Sequence, residues 1–367
     1  MRRPPGVNTT SAQDSLREVV RVRGRVVWLW GLLLVAALVL PAAGQTARPE
    51  RSRLVLAVGG KEALVYLPLT VAERLGYLRE TGVQIDIQNF AGGGQALRAL
   101  VGGSADVVSG FYDHTIQMQA QGRDIRAFVM QQRYPGLVLA VTKAAYEAGV
   151  RGVLDLRGKR VGVTAPGSST HFFINFLMTK AGASLGDFSV IGVGAGATAV
   201  AAVRNRQVDA LVNVDPVISL LESTGDIVVL ADTRTTTGTL RVFGGPYPAA
   251  CLYATGEFIE RNPNTVYALT RAMVRALRWI RSRHSVEEIV SLMPPEYYQG
   301  NREVYTQAVR HMLQSYSPDG RMLEAGPPNV LRVLSQFDPN VSRARIDLAK
   351  TYETRFVEAV LRQLRGQ

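Results

Sequence analysis

Residues 156–182, LRGKRVGVTAPGSSTHFFINFLMTKAG, contain a strand, a loop and a helix in succession. The apolar run at 161–163 predicts a buried strand, which the following Pro-Gly pair ends. Ser168, Ser169 and Thr170 then lead into a segment whose apolar side chains have helical spacing. One hydroxyl would serve as an N-cap, which any helix uses. Three consecutive hydroxyl residues indicate an additional role, which is contact with a bound ligand.

A rhythm of short strands and amphipathic helices extends along much of the chain. Further strands are predicted at 53–58, 83–90, 105–110, 136–143, 188–193 and 227–232 and from 208, and further helices at 68–82, 92–103 and 197–207. This alternation predicts an α/β fold with parallel-rich sheets and helices on both faces. After residue 257 the pattern is helical only, at 263–283, 285–292, 303–315 and from 329 to the end.

Two segments share one supersecondary pattern. GGGQALRALVGGSADVVSG (92–110) and GAGATAVAAVRNRQVDALVNVD (194–215) each contain a glycine loop, a helix and a strand led by an aspartate, Asp106 or Asp209. Repetition of one unit predicts two similar lobes.

The composition is that of a globular protein: 47% of the 367 residues are hydrophobic and 20% are charged. This length is sufficient for two lobes of about 100–200 residues each. Cys251 is the one cysteine in the sequence, which excludes an intrachain disulfide and a multi-cysteine metal site. The formal charge is +12, but the basic residues are scattered and form no recognition motif, which argues against a nucleic-acid partner.

Residues 1–44 have the organisation of a secretory signal peptide. Arginines precede an uninterrupted apolar run, VVWLWGLLLVAALVL (26–40), and small residues with an A-x-G end follow it. The run is shorter than the roughly 18 residues of a membrane span, so cleavage is favoured over the alternative of a retained anchor. We therefore expect a soluble, periplasmic mature protein.

Four loops lie where predicted strands end and helices begin, at 59–68, 92–95, 165–171 and 194–198. Ligands of open α/β sheets bind at such carboxyl ends of strands. The first N–H groups of a helix attract polar or anionic groups. These loops are therefore the candidate binding site.

Three polar residues also follow predicted strands. His114, within SGFYDHT (109–115), and His171 lack the additional ligands of a metal site, so we expect ordinary hydrogen-bonding histidines. Asp215 is either the N-cap of the next helix or a ligand contact in the cleft, and the sequence leaves both open.

Motifs for catalysis and cofactor binding are incomplete. GVGAGAT (192–198) departs from the dinucleotide pattern GxGxxG at Ala197, and an exported protein has little access to nicotinamide cofactors. The sequence contains neither a GxxxxGK[ST] phosphate loop nor a G-x-S-x-G elbow. Ser168 or Ser169 with His171 would share one helix start, where nucleophile and base do not readily align. We predict no cofactor, no metal and no enzymatic activity.

The segments at 92–110, 156–182 and 194–216, together with SPDGR (317–321), resemble the periplasmic substrate-binding proteins of ABC importers for nitrate, sulfonates, taurine and thiamine-pyrimidine precursors. The resemblance spans about residues 54–356. It implies a type II periplasmic binding protein, in which two α/β lobes close on a small ligand like a hinge.

The resemblance also implies domain boundaries. Residues 1–44 would be the signal peptide, and lobe two would comprise 141–249. Lobe one would comprise 45–140 and 250–367, with the C-terminal helices on it.

The resemblance and the loop positions define the candidate contacts. The candidate ligand-binding residues are Lys61, Tyr66, Gly93, Gly94, Gln95, Ser109, Gly110, Phe111, Tyr112, His114, Ser168, Ser169, Thr170, His171 and Asp215. Tyr66, Phe111, Tyr112 and Phe172 would flank an apolar part of the ligand.

We expect a monomeric receptor that delivers a small anionic or heteroaromatic ligand to the permease subunits of an ABC importer. A thiamine-pyrimidine precursor is an alternative ligand. The first loop, VGGKEALVYLP (58–68), which varies most among the sulfonate and nitrate binders, matches none of them. A desulfinase or hydrolase on the same fold, and a sensory module that signals to a membrane kinase, are alternatives from other classes. Lobe one has no counterpart of the catalytic cysteine of the related desulfinases, which argues against an enzyme.

Overall fold

The computed structural model describes residues 1–2, 48–282 and 284–365. The predicted apolar run at 26–40 and its flanks lie outside these ranges. All elements below belong to one compact unit that starts at Arg48. Within the described ranges, no helix combines the length and the apolar character needed to cross a membrane.

In the part of the chain that the structure describes, ten strands form two five-stranded sheets. The strands are β1 (Arg53–Gly59), β2 (Gln84–Phe90), β3 (Val107–Phe111), β4 (Ile125–Met130), β5 (Val138–Thr142), β6 (Arg160–Val163), β7 (Ser189–Gly192), β8 (Ala210–Asn213), β9 (Ile227–Asp232) and β10 (Ala250–Thr255). The first sheet has the order β2-β1-β3-β10-β4 and the second the order β7-β6-β8-β5-β9. We call the first sheet, with the helices packed on it, lobe one. The second sheet with its helices is lobe two.

Helices cover both sheets. They are α1 (Leu67–Arg74), α2 (Gly93–Val101), α3 (Asp113–Ala120), α4 (Lys143–Glu147), α5 (Ser169–Lys180), α6 (Ala197–Arg204), α7 (Val217–Ser223), α8 (Thr236–Phe243), α9 (Gly256–Arg261), α10 (Pro263–Arg281), α11 (Val286–Ser291), α12 (Arg302–Met312), α13 (Gly326–Leu334), α14 (Pro339–Arg343) and α15 (Arg355–Gln363). Helix α10 packs against α1, α15 and β4 of lobe one. Helix α12 contacts α7 of lobe two.

The two sheets repeat one arrangement, as the shared sequence pattern predicts. β1, β2 and β3 occupy the same relative places in the first sheet as β6, β7 and β8 in the second. The paired aspartates have matching roles. Asp106 Oδ2 accepts a hydrogen bond from Val55 N–H of β1 (2.8 Å), and Asp209 Oδ2 accepts one from Arg160 N–H of β6 (2.9 Å). Each carboxylate ties the start of its own strand to the neighbouring strand.

Both sheets are mixed, with one antiparallel strand each. β10 runs antiparallel to β3 and β4, and β5 runs antiparallel to β8 and β9. The strands β4 and β10 and the helix α3 are absent from the sequence-based prediction. β10 lies within ACLYAT, a short apolar segment that has neither alternation nor turn signals to mark it as a strand.

Two predicted helices are interrupted. The helix predicted at 68–82 ends at Arg74, because Gly76 adopts a left-handed conformation (φ 78°) that ends the helix and redirects the chain. The continuous helix predicted from 329 is instead three helices, since Pro339 starts a new one and an irregular stretch precedes α15.

The chain crosses between the sheets twice. It leaves the first sheet at Met130 and enters the second at Val138, and it returns between Asp232 and Ala250. β5 is therefore a strand of the second sheet from its first residue. Two crossings that connect two similar lobes place the ends of the strands of both sheets opposite each other.

Candidate functional site

A narrow cavity lies between the lobes, at the carboxyl ends of the parallel strands. Its volume is about 30 Å³. Its lining residues are Gly59, Ala63, Val65, Tyr66, Gly93, Phe111 and His114 from lobe one, and Leu137, Thr164, Ser168, Ser169, Thr170, Ala195 and Val214 from the crossing and lobe two. The starts of α2 and α5 meet here, which is where open α/β sheets bind ligands.

The structure brings part of the predicted set together at this cavity. The predicted residues that line it are Tyr66, Gly93, Phe111, His114, Ser168, Ser169 and Thr170. The remaining predicted residues are near it but have other partners, described below.

Each of the three consecutive hydroxyls has a separate protein partner. Ser168 occupies the N-cap position of α5, but its side chain does not cap that helix. Ser168 Oγ instead accepts a hydrogen bond from Gly94 N–H of lobe one (2.9 Å). Ser169 Oγ donates to Asp113 Oδ1 (2.7 Å), also in lobe one. Thr170 Oγ1 accepts from Thr164 N–H (3.1 Å) within lobe two. Two of the three hydroxyls therefore hold the lobes together.

Glycines allow the backbones of the two lobes to approach each other. A Cβ atom on Gly94 would lie 2.7 Å from Pro166 O and 2.9 Å from Ser168 N, and one on Gly92 would lie 2.9 Å from Ala165 N. We call Gly60, Gly92, Gly94 and Gly196 the glycine seam, because a Cβ atom on each would overlap an atom of the opposite lobe. The seam makes this closed arrangement sterically possible.

Two histidines bond to the backbone of Gly167, which lies in the turn between β6 and α5. His114 Nε2 lies 3.2 Å from Gly167 O, and His171 Nδ1 accepts a hydrogen bond from Gly167 N–H (3.1 Å). Because a carbonyl only accepts, His114 Nε2 carries the proton, and its Nδ1 then accepts from Tyr253 Oη (3.0 Å). Burial lowers the pKa of both histidines, although the Asp113 carboxylate partly offsets this at His114. Both imidazoles are thus held neutral.

Aromatic and aliphatic side chains of lobe one form an apolar wall of the cavity. The rings of Tyr66 and Phe111 meet edge to face with centroids 6.3 Å apart. Burial raises the pKa of Tyr66, so its phenol stays protonated. Phe172, predicted to flank the ligand, packs instead against His114 and Phe337, with centroids 5.7 and 6.0 Å away. Phe172 therefore contacts the cavity lining through His114.

Five predicted residues face away from the cavity or support it. Lys61 pairs with Glu73 (2.6 Å), and Gln95 Oε1 accepts from Ala91 N–H (3.2 Å). Ser109 Oγ accepts from Gln131 Nε2 (2.9 Å) inside the first sheet. Gly110 lies against the ring of Tyr253, and Tyr112 Oη hydrogen-bonds to Thr351 Oγ1.

Asp215 bonds to the first turn of α7, but Pro216, and not Asp215, occupies the N-cap position that was one of the two options from the sequence. Its Oδ1 accepts from Ser219 N–H (2.9 Å) at the start of α7, and Arg234 Nη1 lies 3.7 Å away. Its backbone oxygen accepts from Leu64 N–H of lobe one (2.8 Å). The side chain is 1% exposed, and burial raises its pKa against the opposing effect of Arg234. Asp215 anchors the helix start and the lobe contact.

Seven lining residues are not among the candidate contacts named from the sequence, although Gly59, Ala63, Val65 and Ala195 lie within the candidate loops 59–68 and 194–198. The seven are Gly59, Ala63, Val65, Leu137, Thr164, Ala195 and Val214. Gly59 is the last residue of β1, Leu137 lies in the crossing, and the other five follow the end of a parallel strand. Their small or apolar side chains carry no chemical signal of their own.

No catalytic pair is formed by the candidate nucleophiles among the described residues. Ser168 and Ser169 bond to groups of lobe one, whereas His171 bonds to the Gly167 backbone. Cys251 is fully buried in β10, and burial raises the pKa of its thiol well above the ordinary value. A protonated, inaccessible thiol is a poor nucleophile.

The two lobes and the cavity between strand ends define the fold of the periplasmic binding proteins. The model of the NMT1/THI5-like family matches residues 64–283. The chain therefore belongs to the NMT1/THI5-like family. The solved structures below confirm the predicted resemblance to nitrate- and sulfonate-binding proteins at the level of the fold.

Three solved structures are similar to this chain. A protein of Bordetella bronchiseptica is 44% identical, with a TM-score of 0.83 over 86% of this chain and 99% of its own. The nitrate-binding protein NrtA of Synechocystis is 15% identical (TM-score 0.66, 87% and 90%). The alkanesulfonate-binding protein SsuA of Xanthomonas axonopodis, bound to MOPS, is 20% identical (TM-score 0.62, 83% and 99%). A desulfurization enzyme also has this fold, so the fold by itself does not exclude catalysis.

Proposed function

We propose that the protein is an extracytoplasmic solute receptor that captures a small anionic or heteroaromatic ligand between its lobes. The observation that carries this proposal is the closed cleft. The hydroxyls of Ser168 and Ser169, at the start of α5, bond directly to lobe one. The cavity beside them is lined by residues at the strand ends of both lobes. A ligand in that cavity would contact both lobes at once and so favour closure over opening.

Delivery to an ABC importer extends this proposal to the partner. NrtA and SsuA, which have the same fold, are named for the nitrate and alkanesulfonate that they bind. We infer that this chain, as a monomer, presents its loaded form to permease subunits. In this proposal residues 1–44 are removed on export. Lobe one comprises 45–137 and 250–367 and lobe two comprises 138–249, because β5 belongs to the second sheet from Val138 and so moves the expected boundary at 140 by three residues. The mass of the exported protein tests the cleavage.

The receptor does not transform its ligand in this proposal. The bonding of both serines to lobe one and the burial of Cys251 support it. Purified protein would be incubated with taurine, alkyl and aryl sulfonates, nitrate and hydroxymethylpyrimidines, with binding followed by calorimetry and products by mass spectrometry. We expect one-to-one binding with the ligand recovered intact. Catalytic product formation would replace the receptor by the enzyme alternative.

The Ser168→Ala, Ser169→Ala double variant tests the site itself. It removes both cross-lobe hydroxyls, each of which contributes about 0.5–1.5 kcal/mol to closure. Affinity for whichever panel member binds is expected to fall roughly tenfold, with little change in the melting temperature. Ser223→Ala is the control, because its hydroxyl lies outside the cavity and bonds within lobe two, to Leu220 O. Unchanged affinity in the double variant would remove this loop from the site.

A further inference from the structure

The helices of the repeated unit, α2 and α6, both begin where the two lobes meet. α2 connects β2 to β3 in lobe one, and α6 connects β7 to β8 in lobe two, so their starts are equivalent positions. At α2, the Gly94 N–H group donates to Ser168 Oγ of the opposite lobe. At α6, Gly196 occupies the N-cap position and has no side chain with which to cap the helix. A partner for the first N–H groups of α6 must therefore come from another part of the molecule or from water.

Glu62 of lobe one faces the start of α6. A Cβ atom on Gly196 would lie 2.6 Å from Glu62 Oε1 and 3.3 Å from its Cδ. The N–H groups of Gly196, Ala197 and Thr198 donate to no backbone acceptor among the described residues. Such unpaired groups and the aligned peptide dipoles give this end of a helix a partial positive charge. Because no direct hydrogen bond joins Glu62 to them, the attraction is between its carboxylate charge and the helix dipole.

Asn89, at the end of β2, fixes the direction of the Glu62 carboxylate. Asn89 Nδ2 donates to Glu62 Oε2 at 3.2 Å. Asn89 Oδ1 accepts from the N–H groups of Gly60 (3.2 Å) and Lys61 (2.8 Å), which holds the amide in place. Glu62 Oε2 is therefore engaged within lobe one, and Oε1 is the oxygen that faces lobe two.

Glu62 has no cation as a partner. It forms no ion pair among the described residues, because the neighbouring Lys61 Nζ lies 2.6 Å from Glu73 Oε2 instead. The Glu62 side chain is also partly buried. A partly buried carboxylate is unfavourable unless a positive group compensates for the lost water. In the closed arrangement that group is the start of α6. When the lobes separate, the contact is lost and the carboxylate returns to water.

We propose that Glu62 is a cross-lobe latch: its carboxylate docks on the start of α6 when the lobes close, and it stabilises the closed form whether or not a ligand is bound. The latch requires lobes that open and close, so it rests on the proposed receptor function. It makes closure reciprocal across the repeated unit, with Ser168 at the start of α2 and Glu62 at the start of α6. Ala195, beside the latch, lines the cavity, so the latch closes that side of the cleft.

A pair of spin labels, one on each lobe, measures the ratio of closed to open protein without a ligand. Cys251 is fully buried, so cysteines introduced on the surface by Arg123→Cys in lobe one and Gly186→Cys in lobe two are labelled selectively. We expect Glu62→Gln, which keeps the shape and removes the charge, to lower this ratio about two- to tenfold. Glu147→Gln is the control, because it removes an exposed carboxylate of lobe two that forms no ion pair among the described residues.

The salt dependence of closure distinguishes a charge effect from a change of shape. Salt screens the attraction between a charge and a helix dipole. The ratio of closed to open wild-type protein should therefore fall when salt is raised from about 20 mM to about 500 mM, well above the range in which surface charges are felt at a distance. The ratio in Glu62→Gln should change little. With a panel member that binds, the same two- to tenfold loss should appear in its affinity.

A double-mutant cycle tests the contact itself. The nearest atoms to a Cβ on Gly196 all belong to Glu62, and the Gly196 φ of −133° suits alanine. Gly196→Ala should therefore displace the carboxylate and lower closure in the wild type. In the Glu62→Ala background the side chain is absent, so the same substitution should have little effect.

The latch and the receptor proposal fail by different results. An unchanged ratio of closed to open protein in Glu62→Gln, or an equal fall in Glu147→Gln, overturns the latch. Equal effects of Gly196→Ala in the two backgrounds, or one fixed distance between the labels with and without a bound panel member, also overturn it. None of these results affects the receptor proposal, which is overturned by the absence of binding across the panel.

Discussion

Replacement of Gly94 by alanine separates closure of the cleft from stability of the fold. Gly94 is the second residue of α2, and helix interiors favour alanine over glycine by about 0.5–1 kcal/mol. In the closed cleft, however, the new Cβ would lie 2.7 Å from Pro166 O and 2.9 Å from Ser168 N. Both are backbone atoms, which cannot rotate away. The substitution therefore acts in opposite directions on the helix and on closure.

The cost to closure follows from two contacts. Relief of the overlap requires the lobes to stay slightly apart, at about 1–3 kcal/mol as for overpacking in a core. The same separation lengthens the 2.9 Å bond from Gly94 N–H to Ser168 Oγ, worth about 1 kcal/mol. The sum, roughly 2–4 kcal/mol, predicts a fall in affinity of about thirtyfold to a thousandfold.

Calorimetry with a panel member that binds the wild type gives the affinity, and small-angle scattering gives the compaction on binding. We expect Gly94→Ala to melt at the same or a slightly higher temperature, and to show weak binding with little compaction. Gly186→Ala is the control, since a Cβ there meets nothing within 4 Å. Affinity within threefold of the wild type, or a clear loss of melting temperature, would refute the argument that the glycine is retained for closure.

Two further predictions concern stability. The pKa of His171 lies below its value of about 6.5 in the unfolded chain, so the unfolded state binds more protons and stability is lost as the pH falls below about 6.5. Urea unfolding between pH 7 and pH 5 should show a shallower pH dependence in His171→Asn, and an unchanged slope would contradict this. Arg234→Met should destabilise the fold by about 3–5 kcal/mol, because it leaves buried Asp215 without its cation. Arg204→Met, which removes a half-exposed pair, should cost about 0–1 kcal/mol in the same assay.

Local signals in the sequence were sufficient to predict the strand, loop and helix units. β1, β2, β6, β7 and β9 are apolar or alternating runs bounded by glycine, proline or charged residues, and each has the predicted position within a residue or two. The repeated motif predicts two similar lobes, and the strand orders of the two sheets match. Both kinds of signal are confined to short windows of the chain.

These local signals do not predict which distant segments pair with each other. β10 pairs with β3 across the whole of lobe two, so its place as an antiparallel strand depends on contacts that no local window contains. The hydroxyls of the site show the same limit. Their position at a helix start was predictable, but Ser168 is bound by Gly94 and Ser169 by Asp113, both from the other lobe. Which hydroxyl group keeps a free proton depends on those partners.

The position of β10 has a consequence for the order of assembly. The second sheet consists of chain from 138 to 232 without interruption, so it is complete as soon as that stretch has been synthesised. The first sheet lacks the strand between β3 and β4 until residues 250–255 follow. Pairs that close long loops form slowly. Lobe two is therefore an insert able to reach its native topology first, while lobe one remains an unfinished sheet with an open gap until the late strand enters it.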